Sequence, residues 1–163
     1  MLSALVVVIH VLAVFWLVGG IVGRDVAYRQ AARSTELNRL RTHVELGGFF
    51  ERGMVRPATN FVFLAGLAAA WARGWPILGF LQGGDVNWVL VSILIYLTII
   101  PLIVLVFMPR GRVFRAAFDE AVTLGQVTPR LTAALKDPAV EIARAYEITI
   151  IAVLTWLMVA RPF

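Results

Sequence analysis

The chain contains no cysteine. Disulfides, thiolate metal sites and cysteine nucleophiles are thereby excluded. Histidine is nearly as scarce, with only His10 and His43 present. A zinc or copper site built within the chain would need mostly carboxylate or methionine ligands, an unfavourable set for either metal. A glycine-rich phosphate loop, a paired-carboxylate site and a nucleophile–base pair are also missing, which argues against an enzyme. Charged residues make up only 15% of the chain, and 60% of it is hydrophobic. Soluble domains are about 45–50% apolar, so a mean hydropathy of +0.84 points to one membrane domain covering residues 1–163.

The opening stretch, MLSALVVVIHVLAVFWLVGGIVGR, sets the frame. Residues 2–23 hold a single ionisable side chain, His10. A helix of that length covers the ~30 Å hydrocarbon core. The run is too long for a signal-peptide core, and neither a basic leader nor a small-residue cleavage site flanks it, so no cleaved signal peptide is expected. Ser3, Val6, His10, Ala13, Leu17, Gly20 and Arg24 share one helical stripe. Gly19 and Gly23 add a small-xxx-small pair on a neighbouring face. Small residues bring helices close in lipid, so His10 is expected to face protein. Three roles are open to it: a neutral imidazole hydrogen-bonded to a neighbouring helix, a haem or metal ligand, or a proton carrier.

Residues 24–56 are charged, with seven arginines, four acids and His43. Ser34 is expected to cap an amphipathic helix carrying Leu37, Leu40 and Val44, which Gly47-Gly48 should end. Pro57 suits the first turn of a short second span, residues 57–73, in which Asn60 should hydrogen-bond between helices. The connector 74–88 is rich in Gly and Pro and reads as a loop. A third span, residues 88–108, contains Tyr96 and should kink at Pro101. Two short helices follow, 114–124 and 129–135, the second capped by Thr128. Asp137-Pro138 starts the last helix. Its uncharged part, residues 148–160, is too short to span a bilayer. A span over 141–160 therefore draws in Arg144 and Glu147, and Glu147 is expected to pair with Arg144 or Arg56.

The expected architecture is all-α, a polytopic membrane protein of four transmembrane helices in a bundle with short cytoplasmic helices in the two long loops. Thirteen of the fifteen basic residues lie in those loops. The positive-inside rule then puts both loops in the cytoplasm and both termini outside. A net charge of +5 arranged in this way marks topology and not a nucleic-acid partner.

VIHVLAVFWLVGG, residues 8–20, resembles the opening span of the four-helix class that includes copper-resistance membrane proteins and the membrane-type bacterial protoporphyrinogen oxidase. GQVTPRLTAALKDP, residues 125–138, and the closing MVARPF resemble a predicted integral membrane family, domain of unknown function 2269. The resemblance implies a four-helix bundle in a bacterial inner membrane. The oxidase relatives bind b-type haem, and His10 matches their first-span histidine. No second histidine lies in a span, so a two-histidine haem within one chain would require His43 to be buried. Five-coordination, Met158 or a ligand from another subunit would complete the alternatives.

Two functions follow as expectations. The first is a non-enzymatic inner-membrane protein, an accessory or assembly subunit of a larger membrane complex or a homo-oligomer. The alternative is a haem-b protein with His10 as axial ligand. Asn60, Tyr96, Arg144 and Glu147 are the structural polar groups expected within the membrane. A small transporter or proton pathway through His10, Asn60, Tyr96 and Glu147 is a third reading.

Overall fold

The computed structural model describes residues 2–82 and 87–162. Among these residues there is no strand. The principal helices are α1 (Leu2–Arg33), α2 (Leu37–Phe50), α3 (Arg56–Ala72), α4 (Trp88–Leu97), α5 (Ile99–Leu102), α6 (Met108–Leu124), α7 (Pro129–Leu135) and α8 (Pro138–Ala160). Three stretches are long and apolar enough to cross a membrane: Leu2–Arg33, Trp88–Leu124 and Pro129–Ala160. The remaining expected span, residues 57–73, corresponds to α3, whose 17 residues fall outside that set.

Local chemistry explains the helix ends on the loop side. The Thr128 hydroxyl accepts from the Leu131 amide at 3.2 Å, and Pro129 occupies the first turn. Asp137 accepts from the Ala139 amide at 2.9 Å, with Pro138 behind it. Each satisfies an amide that the helix leaves without a partner. Gly125 closes α6 at φ 68°, and the Gln126 amide returns to the Ala121 carbonyl, the left-handed cap that glycine adopts without penalty. Ser34 behaves differently from expectation. Its hydroxyl donates back to the Gln30 carbonyl at 2.8 Å, sealing the end of α1, and Glu36 stands at the start of α2 without a side-chain cap.

Gly47-Gly48 does not end the second helix. Neither glycine has positive φ, and the helical path continues from Leu37 to Ala72. These glycines serve close approach instead. A Cβ on Gly47 would lie 2.9 Å from the Tyr28 ring, and one on Gly48 would lie 3.0 Å from the Arg52 guanidinium. Likewise the helix expected at 114–124 is not separate, since α6 runs on from the third span.

Two π-helical turns interrupt these long paths, Glu51–Val55 and Ile103–Phe107. Each lies one turn ahead of a proline, Pro57 and Pro109. A proline ring clashes with the carbonyl four residues back and cannot donate to it, so the preceding turn widens. Pro101 acts in the same way: the ladder breaks at Thr98, whose hydroxyl donates to the Ile95 carbonyl at 2.6 Å.

Two cores hold the fold. Ala13, Leu17 and Ile21 of α1 pack on Val55, Ala58 and Val62, with Ile151 of α8 against them. Ala31, Leu40, Ala117, Ala121 and Leu131 form the second, where the loop helices gather. The outer faces are apolar and exposed, as at Leu105 (72%) and Ile142 (72%). Such faces suit lipid.

Gly20 sets the distance between α1 and the α2–α3 path. A Cβ there would meet the Met54 Cβ at 2.8 Å and the Val55 backbone nitrogen at 3.3 Å. Backbone cannot yield as a side chain can. Gly20→Val should therefore cost about 1–3 kcal/mol of stability in detergent unfolding, the range for overpacking a filled contact. Gly19→Val, whose Cβ would sit 3.9 Å from the Met54 terminus, should be close to neutral. Equal losses at the two positions would refute this account of the contact.

Candidate functional site: an apolar cleft and its buried ion network

Between the α1–α3 side and the α4–α8 side lies a partly open cleft of about 1580 Å³. Its walls are mainly apolar, with Val14, Phe63, Ile103, Ile151 and Leu154 among them. His10, Asn60, Tyr96, Arg144 and Glu147 all line it.

His10 is buried, 8% exposed, on the inner stripe of α1. Its Nδ1 lies 3.1 Å from the Val62 carbonyl oxygen of α3. A carbonyl only accepts, so Nδ1 carries the proton in the neutral ring and Nε2 keeps its lone pair. Nε2 has no hydrogen-bond partner among the described residues. Gly66 makes room for the ring, since a Cβ there would lie 3.0 Å from His10 Cε1. Ser92 of α4 is another buried polar residue on the cleft wall, and its hydroxyl is without a partner among the described residues. In the sequence Ser92 reads only as a polar point within the third span, because serine inside an apolar helix usually bonds its own backbone.

Tyr96 joins the two sides of the cleft. Its hydroxyl donates to the Thr59 carbonyl at 2.5 Å, and its ring stacks on Phe63 with centroids 5.1 Å apart. Asn60 does not bridge helices. Its side-chain amide donates to the Arg56 carbonyl one turn back on its own helix, at 3.4 Å. That geometry leaves the expected interhelical bond unmade.

Glu147 does not pair with Arg144 or Arg56. Its Oε2 accepts from Arg24 Nη2 at 2.6 Å, across 123 positions of sequence. Arg24 is only 5% exposed. It also donates to Asp25 at 3.0 Å and to Glu51 at 3.2 Å. Arg144 Nε lies 3.6 Å from Asp25 Oδ1, the oxygen that Arg24 also bonds, with its guanidinium 4.9 Å over the Tyr28 ring. Arg56 pairs with Glu51 at 3.0 Å. The first π turn delivers Glu51, and the second ends on Phe107, whose ring lies 5.9 Å beneath Arg24. Arg24 thus ties α1, both π turns and α8 together. One signal of this was present in the sequence, because Arg24 stands on the same stripe as His10. Neither Asp25 nor Glu51 carried one.

The opposite end is aromatic. Trp75 and Trp88 meet edge to face at 4.9 Å, and the Arg161 guanidinium lies over both rings at 4.9 and 5.9 Å. Trp71 is exposed beside them. No group of three or more potential metal-binding side chains occurs among the described residues.

A family model described as a predicted integral membrane protein (DUF2269) matches residues 4–162, and the chain belongs to that family. No curated protein and no solved structure matches it. The likeness to the copper-resistance and protoporphyrinogen oxidase class is not seen in these comparisons.

Proposed function

We propose, from the premise that the chain is an integral membrane protein of this family, that it is a haem-b-binding protein of a bacterial inner membrane. The single observation that carries this is the state of His10. Its Nδ1–H is held by the Val62 carbonyl, which orients the ring and leaves Nε2 free in an apolar cleft. A histidine ligand is commonly fixed through its other nitrogen in this way. His10 would hold the haem iron through Nε2, and Met158, also on the cleft wall, would be the second candidate ligand. Val14, Phe63 and Leu154 would enclose the macrocycle and exclude water. When bound, haem b supplies a redox-active iron. The chain's own residues ligate it, orient it and keep it dry.

In this reading α3 is the fourth membrane helix and the four spans form a bundle. Arg56 and Arg73 at its two ends reach outward along their aliphatic stems, which offsets its short length. Both termini lie in the periplasm and both basic loops in the cytoplasm. Reporter fusions at Gly48 and Gly125 should be active only with cytoplasmic reporters, and the opposite pattern would invert the topology.

The accessory-subunit reading has less support. It drew on small residues available for association with other subunits. Gly20 and Gly23 are instead filled from within the chain, by Met54 and Phe50. The proton-pathway reading fares no better, since Tyr96 and Asn60 spend their donors on backbone carbonyls and Glu147 is held by Arg24. The absorption spectrum of protein purified from membranes with ample haem supply separates these readings. A Soret band in stoichiometric yield is expected. Colourless protein that takes up no added haem b would refute the proposal.

A further inference from the structure

The loop end of the cleft is chemically distinct from the His10 end. Arg52, Arg112 and Arg115 line it, and none has a carboxylate within ion-pair distance among the described residues. The neighbouring arginines are already engaged: Arg24 and Arg144 in the buried network, Arg56 with Glu51, Arg110 with Asp137 at 2.9 Å. Of the nearby acids, Glu45 pairs with Arg41 at 2.7 Å, and among the described residues Asp119 is the one unpaired carboxylate on this stretch of wall. Three guanidiniums therefore face one carboxylate.

Arg52 and the turn of α6 that carries Arg112 and Arg115 share a level, because both meet the Tyr28 ring through their neighbours. Arg52 folds back over Gly48, where a Cβ would lie 3.0 Å from its Nη1, so a glycine notch cradles the cation. The adjacent Gly47 meets the Tyr28 ring, and Phe114 meets that same ring edge-on at 5.9 Å. Arg112 and Arg115 flank Phe114, and three-residue spacing puts them on one helical face. Directly inward the wall turns apolar, at Val18, Ile103 and Ile151. A cationic rim above an apolar slot is complementary to an amphiphile with an anionic head.

Haem is not that amphiphile. Val62 marks the level of His10, and Arg52 is ten residues from Val62, or ~15 Å along the helix axis. The Arg52 guanidinium folds back over Gly48, farther still from that level, and so lies out of reach of the carboxylates of a porphyrin centred on His10.

We infer that the rim of the cleft is a binding site for the phosphate of an anionic phospholipid, held by Arg52, Arg112 and Arg115, with its acyl chains lying along the apolar wall. The planar guanidinium fork matches phosphate oxygens. The site stands independently of the haem reading, because no group in it touches His10.

The test uses the full chain in neutral detergent. Thermal unfolding is followed with added phosphatidylglycerol or with phosphatidylcholine of the same acyl chains, and native mass spectrometry counts bound lipid. Phosphatidylglycerol should raise the unfolding temperature by several degrees and be retained one per chain, and phosphatidylcholine should do neither. The R52Q/R112Q/R115Q variant should lose both effects. The R29Q/R33Q/R39Q variant removes three basic residues that lie outside the cleft and should keep both effects. Equal stabilisation by the two lipids, equal loss in the two variants, or full replacement of the lipid by inorganic phosphate would overturn the proposal. The mass count keeps the test valid if a triple variant is itself less stable.

Discussion

Arg24→Met should be the most destabilising single change in this protein, lowering stability by about 3–5 kcal/mol in detergent unfolding. Methionine nearly fills the space, so packing is not the main loss. The loss comes from the carboxylates left behind. Asp25 retains Arg144 at 3.6 Å, and Glu51 retains Arg56 at 3.0 Å. Among the described residues Glu147 has Arg24 alone within ion-pair distance, with a side chain only 10% exposed. An unpaired charge so placed is expensive in a medium that cannot solvate it. Glu147→Gln should cost much less, because Arg24 keeps two of its three carboxylates. The Arg24→Met/Glu147→Leu double variant should recover most of the single-variant loss, since a buried ion pair replaced whole by apolar groups is often close to neutral. Arg24→Met within about 0.5 kcal/mol of wild type would show that the network contributes little net stability, as exposed pairs do.

His10→Ala should remove the Soret band entirely while leaving the protein folded. The structural penalty is small, because the Val62 carbonyl loses one donor and the expected cost is about 1 kcal/mol. Loss of colour with helix content intact therefore assigns His10 as ligand and not as packing. Gly66→Val tests the same assignment from the opposite helix. A Cβ there would press on His10 Cε1 at 3.0 Å, so the valine displaces the ring from its place beside the Val62 carbonyl by a few tenths of an ångström or more, and haem occupancy should fall. Met158→Ala distinguishes six- from five-coordination by a shift in the reduced spectrum. An unchanged Soret band in His10→Ala would move the ligand elsewhere and end this reading.

The sequence by itself determined the class of molecule. Hydropathy over tens of residues is a sum, so the membrane-crossing character of Leu2–Arg33, Trp88–Leu124 and Pro129–Ala160 is legible without coordinates. The caps at Thr128 and Asp137 are equally legible, because each bond closes within three residues of its own position. The stripe through His10, Gly20 and Arg24 is visible because helical spacing alone puts those residues on one face. The tertiary structure decided what each polar or small residue meets. Glu147 finds Arg24 rather than its own neighbour Arg144, because two helix faces that converge in space lie 123 positions apart in sequence. Gly47-Gly48 reads as a helix stop in one dimension. In three dimensions it is the clearance for Tyr28 and Arg52. A glycine's meaning depends on what approaches it, and a buried charge's partner on which helices pack. Neither is written in local sequence, because both are properties of contacts between distant segments.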